Sequence, residues 1–205
     1  MENSSITTRP QRLADLPATA VFSLAALINS KPEPLAAVRI RPTDPGEAAV
    51  EVLSNVLAAS ITVEATMEQE ITLPRAAVLT LKRMHPAAER LVIDAHGDRL
   101  QLRTFSIDTT VSTICSPALA LPAIPGGLAN VPVLPGAPAP VLLDPKLLAA
   151  AIAAASAING GHGPVEVSWL DHPVLGIAVS PSPWSENGYG SIQLARQIRA
   201  GADSN

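Results

Sequence analysis

Three cations gather in one short stretch, PRAAVLTLKRM (74–84): Arg75, Lys82 and Arg83. The stretch reads as a helix, on which Arg75 and Lys82 share a face and Arg83 sits about 100° round from Lys82. Cations so aligned can hold phosphate oxygens, arginine through a planar fork and lysine as a point charge. The same residues also suit a plain solvated helix end, where the helix dipole favours positive charge. Lys146, at the start of a later apolar run, and Lys31, just after an earlier one, are further cations beside apolar runs of helical spacing. Trp184 and Tyr189, in the loop SPSPWSENGYG, are the candidate anchors for a protein partner, since loop aromatics can fill a partner's pocket, with local packing as the alternative.

Other chemistries find little support. Asp94, His96 and Asp98 are close in sequence, but a hairpin turn would leave them exposed and scattered, a poor acid–base constellation. There is no GxSxG motif, and Ser60, Ser112 and Ser156 fall in strand or helix patterns. His85, His96, His162 and His172 each sit beside Gly or Pro in turns, without metal-ligand spacing. GGHG (160–163) follows a helix instead of opening one, so it reads as a helix cap and turn and not as a phosphate loop. Cys115 is the single cysteine, in an apolar strand-like context, and reads as a buried small hydrophobe. No enzyme activity, metal or cofactor is expected.

The chain has 205 residues, enough for one compact domain or two small ones. It is 47% hydrophobic yet only 2% aromatic, so its core must be built from Ala, Val, Leu and Ile. The formal net charge of -4 argues against a surface coated in positive charge but allows a local basic patch. The most apolar run, KLLAAAIAAASAI (146–158), falls short of the ~20 residues of a membrane span. The polar start MENSSITTRPQRLADLP has no apolar signal region. A cytoplasmic protein without a membrane role is the expectation.

These residues must be positioned by short alternating elements. Residues 1–16 read as a flexible lead-in. ATAVFSLAALINS is a helix, followed by strands in LAAVRIRP, AAVEVLSN and AASITVEATM, and the pattern leaves room for an opening strand before that helix. EITL is a strand, PRAAVLTLKRM a helix, RLVIDAH and DRLQLRTF a hairpin turning at Gly97, and IDTTVSTIC a further strand. Residues 117–140 hold seven of the 20 prolines, which excludes helix and reads as a linker. VLL, a helix capped by Asp144 with Pro145 in its first turn, and strands in PVEVSWL, PVLGIAVSP and GSIQLARQI complete a third unit over 141–199, and 200–205 read as a disordered tail. The division is thus two β-α-β-β-β halves over 17–116, the linker, and a third half.

This repeated unit resembles the half-domain of DNA sliding clamps. ITLPRAAVLTLKRM…RLVIDAHGDRLQLRTFS is similar to a half-domain of the bacterial DNA polymerase III beta subunit, and LLDPKLLAAAIAAASAINGGHGPVEVSWLDHPVLGIAVSP to the last one. There DPKLLAAAI, VEV and PVLGI stand where the family has a helix start and two strands. The resemblance implies an α+β fold of clamp type, with antiparallel sheets and helices on one face. It implies a shortened or divergent, non-enzymatic homo-oligomer that encircles duplex DNA through weak, non-specific phosphate contacts and tethers a DNA polymerase or other replication or repair proteins. On that reading Arg75, Lys82, Arg83, Lys146 and Lys31 face the DNA. The alternative is a clamp-fold interaction or structural subunit that binds proteins and not DNA, favoured by the alanine-rich third helix.

Overall fold

A computed structural model describes residues 11–28, 36–54, 56–118, 143–170, 175–182, 185 and 188–195. The first unit consists of β1 (Arg12–Pro17), α1 (Ala18–Leu27), β2 (Ala37–Pro42), β3 (Glu47–Ser54) and β4 (Leu57–Glu64). A two-residue β5 (Thr66–Met67) leads into β6 (Ile71–Pro74), α2 (Arg75–Met84), β7 (Arg90–His96), β8 (Arg99–Phe105) and β9 (Thr110–Cys115). The third unit has α3 (Pro145–Ile158), β10 (Glu166–Trp169), β11 (Leu175–Ser180) and β12 (Tyr189–Ala195). Of the terminal and linker segments read from the sequence, 1–10, 119–142 and 196–205 lie outside the described residues.

The first two units exchange their opening strands. β1 pairs antiparallel with β7 of the second unit, Leu16 opposite Leu91 and Ala14 opposite Ile93. β6 in return pairs with β2 of the first, Ile71 opposite Ile40 and Leu73 opposite Val38. Two antiparallel sheets result, in the orders β5-β1-β7-β8-β9 and β10-β11-β12-β4-β3-β2-β6. The third unit joins the second of these sheets through its last strand: β12 lies antiparallel on β4, Ile192 opposite Ala59 and Leu194 opposite Leu57.

Alternation along each strand decides which face meets the helices. Val38 and Ile40, Val50 and Val52, Leu91 and Ile93, and Leu100 and Leu102 are buried in one core. α1 is apolar on every side and is buried almost throughout, because it lies between α2 and α3 and against the sheets. α3 buries Ala151, Ala154, Ala155 and Ile158, an i, i+3, i+4, i+7 stripe. Asp144 caps this helix as read from the sequence, accepting from the backbone N–H of Lys146 at 2.8 Å, with Pro145 in the first turn. The alanines let helices approach closely, which is how a core with so few aromatics is filled.

Three details differ from the sequence reading. Arg12–Pro17, inside the segment read as a flexible lead-in, is a strand, because Ala14 and Leu16 bury fully and Asp15 binds Arg90 of the neighbouring strand at 2.7 Å. The stretch after β4 does not simply prolong it: β5 crosses to the other sheet, Met67 opposite Ala14. Asp94 is not exposed on its hairpin but only 1% exposed, its carboxylate bound by both Nε and an amino group of Arg103 at 2.7 and 2.6 Å.

Candidate nucleic-acid and partner interface

α2 is the amphipathic helix of the three. Val78 and Leu81 point into the core, and the opposite side, with Pro86, lines an open groove of about 620 Å³. Arg75, Lys82 and Arg83 all lie along this groove, together with Ala76, Leu79 and Thr80. The three cations predicted to act together are therefore brought together.

They are not equivalent. Arg75 Nε donates to the carbonyl of Ala25 at 3.0 Å. Ala25 is in the last turn of α1, where carbonyls lack a partner within the helix, so this guanidinium caps α1 and adds the charge its dipole favours. Lys82 Nζ reaches the carbonyl of Phe22, also on α1, at 3.5 Å. Both side chains are half-buried and tie α2 to α1. Arg83 is exposed and contacts only its own helix, Nε to the Leu79 carbonyl at 3.4 Å and an amino group to Thr80 Oγ1 at 3.4 Å. It is the exposed one of the three, and its guanidinium can exchange these two 3.4 Å contacts within its own helix for a phosphate in two-point geometry. Lys146 is exposed in the first turn of α3 and lines no part of the groove. Lys31 lies outside the described residues.

Of the two aromatic candidates, Trp184 lies outside the described residues. Tyr189 is 51% exposed, and its hydroxyl donates to Glu47 Oε2 at 2.9 Å. That contact raises the phenol pKa and fastens the third unit to the first at the β4–β12 junction. It also leaves much of the ring in solvent.

His85 closes α2 and is buried, with Nδ1 at 3.0 Å from Thr104 Oγ1 and Nε2 at 3.0 Å from Ser106 Oγ. Thr104 Oγ1 lies 3.4 Å from the Val111 carbonyl, to which it can donate, so a neutral ring with Nδ1–H is fully satisfied: it gives to Thr104 and takes from Ser106. No carboxylate orients the ring, and the arrangement locks the helix end to the β8–β9 turn. The sequence offered HP at a helix end and no sign of the hydroxyls that arrive from β8 and the turn after it.

Cys115 is half-buried on β9, and burial pushes its thiol pKa up. The thiolate is the nucleophile, so alkylation of the native protein at pH 8 should run well below the rate for the denatured chain and rise only at higher pH. Equal native and denatured rates, followed by thiol release, would show the thiol to be open. Among the described residues no group of His, Cys, Asp or Glu is gathered as a metal site, and no helix is long and apolar enough to cross a membrane.

No protein-family model matches the sequence, and no curated protein matches it. Solved structures do. The chain matches A. fulgidus PCNA, solved with the C-terminal region of FEN-1, at 10% identity and a TM-score of 0.52, over 93% of this chain and all of the other. It matches the H. pylori beta clamp, solved with diflunisal, at 10% identity and a TM-score of 0.53, over 97% of this chain and 70% of the other. The sliding clamp of Bacillus subtilis matches at 13% identity and a TM-score of 0.44, over 96% of this chain. This chain spans about half of that clamp, 53% of its length.

Proposed function

We propose that this protein is a non-enzymatic, clamp-like scaffold that self-assembles around duplex DNA and tethers replication or repair proteins there. The chain has the sliding-clamp fold, and that is the ground on which the proposal stands. The observation that carries it further is the gathering of Arg75, Lys82 and Arg83 on one groove of α2 in a chain of net charge -4. Phosphate contacts of this kind are blind to sequence, as an encircling protein needs. The A. fulgidus neighbour was solved with a partner's C-terminal region, which supports a tethering role by analogy of fold.

A second reading has its own observation. Arg75 and Lys82 are already engaged by α1 carbonyls, and on α3 the one cation is Lys146. Such a thin basic surface suits a clamp-fold subunit that binds proteins and not DNA.

Mass in solution, by light scattering on a sizing column with nicked circular DNA, separates the two. The first reading expects a defined oligomer that stays on circles and leaves when they are cut. Arg83→Glu should then lower retention and reduce the slope of log affinity against log salt by about one, the loss of roughly one phosphate contact. A protein indifferent to circular DNA at low salt sinks the first reading and leaves the second.

A further inference from the structure

We infer that two copies of this chain join through β9, antiparallel and about a two-fold axis, with Ser112 of one copy opposite Ser112 of the other. The inference deepens the self-assembly proposed above and rests on it.

The fold itself supplies the rule. β4, β9 and β12 are the last strands of the three units. β4 takes β12 on its outer edge, last strand to last strand and antiparallel, while α3 lies on α1 beside it. β9 holds the same place in the second unit, with α2 alongside, and no described strand lies on its outer edge. β12 is already engaged, so among the described last strands the one that can fill that edge is the β9 of another copy. Identical strands meeting antiparallel make a closed two-fold contact that leaves neither edge open.

The edge is also built to be paired. Exposed strand edges are normally blunted by charge, proline or shortness. β5 has two residues, β6 ends in Pro74, its neighbour Thr72 accepting at its carbonyl from the N–H of Ala118, and β10 carries an exposed Glu166. β9, TVSTIC, has none of these devices. Its outward-facing Ile114 is 46% exposed, and Ile107, in the turn before it, 88% exposed.

Register follows from the hairpin. Ser106 N–H donates to the Thr109 carbonyl at 3.0 Å. Antiparallel pairs alternate from there, so the Val111, Thr113 and Cys115 backbone groups face β8, and those of Thr110, Ser112 and Ile114 face the open edge. Centring the axis on Ser112 sets Thr110 opposite Ile114 of the other copy, and every outward N–H and C=O of the three residues finds a partner. The helix-side residues Val111 and Thr113 face each other and extend the core face across the junction.

Oxidative cross-linking tests the register. With Cys115→Ser as background, Ser112→Cys should give a disulfide-linked dimer, since opposed residues of a hydrogen-bonded pair lie about 5.5 Å apart at Cα, within disulfide range. Asp98→Cys, in an exposed turn on the same background, should not. Ser112→Pro removes an outward N–H without touching the β8 ladder, and Ile114→Lys puts charge on the edge; each should halve the native mass or lower it to the next smaller species. An oligomer whose mass ignores both variants and which fails to cross-link at 112 overturns the β9 contact while self-assembly stands. A monomeric wild-type chain overturns both. A cross-linked dimer indifferent to circular DNA upholds the contact and sinks only the encircling reading.

Discussion

Glu51→Ala should destabilise the protein by about 3–5 kcal/mol, the cost typical of removing one partner from a buried ion pair. Glu51 is 3% exposed and sits at the centre of a three-strand charge cluster. Its Oε2 accepts from Arg39 on β2, Nε at 2.7 Å and an amino group at 2.6 Å. Its Oε1 accepts from Arg41 Nε at 3.1 Å and lies 3.5 Å from Ser60 Oγ on β4. Arg39 is directly opposite Glu51, and Ser60 directly opposite it on the other side. Arg41 can turn to water, but Arg39, 7% exposed, cannot, so truncation strands a guanidinium in the interior. Against a usual total of about 5–15 kcal/mol this is a large loss. The double change Arg39→Leu with Glu51→Leu should recover most of it, because replacing both members of a buried pair is often close to neutral. Denaturant midpoints of the three proteins decide the matter: a single mutant within about 1 kcal/mol of wild type would mean that solvent reaches Arg39.

The parts of this architecture that were legible in the sequence are the local ones. α2 could be placed because Pro74, the Val78 and Leu81 spacing and the closing HP all lie within a dozen residues. The α3 start was written in Asp144 and Pro145, and the β7–β8 hairpin in HGD, where Gly97 takes φ 63°. The exchange of β1 and β6 was not legible, because it depends on pairings such as Asp15 with Arg90 that no local window contains. The same holds at the candidate site. The charges of Arg75 and Lys82 were plain, but their acceptors, the carbonyls of Ala25 and Phe22, lie on another helix and carry no side-chain signature. The Glu51 cluster did leave a trace: arginines at alternate positions in VRIRP, facing a lone glutamate in AVEV, mark one face of a strand pair. What the sequence lacked was any sign that this face is buried.

Gly190→Ala should loosen the third unit from the first while leaving the two interlocked units folded. At Gly190 φ is 139°, and a Cβ there would stand 2.2 Å from the Ser60 carbonyl oxygen and 3.0 Å from Ile61 Cα. Both obstacles are backbone of β4, held in place by β3 on its far side, so neither can swing away as a side chain would. Gly188 is held the same way, 2.7 Å from the Thr62 carbonyl oxygen. This pair of glycines is what lets β12 lie on β4, and Tyr189 between them reaches Glu47 only from that position. Backbone strain in such a region costs about 1–3 kcal/mol before the clash is counted, so the β4–β12 ladder is expected to open. Gly46 is the control. It also has a positive φ, 88°, but a Cβ there meets nothing within 4 Å, so Gly46→Ala should show strain alone. Hydrogen exchange reads the difference by region: Gly190→Ala should strip protection from β10, β11, β12 and α3 and spare β7 and β8, whereas Gly46→Ala should leave the third unit protected. If the two variants behave alike, β12 tolerates displacement from β4, and the last-strand pairing from which the β9 contact was inferred is weaker than its geometry indicates.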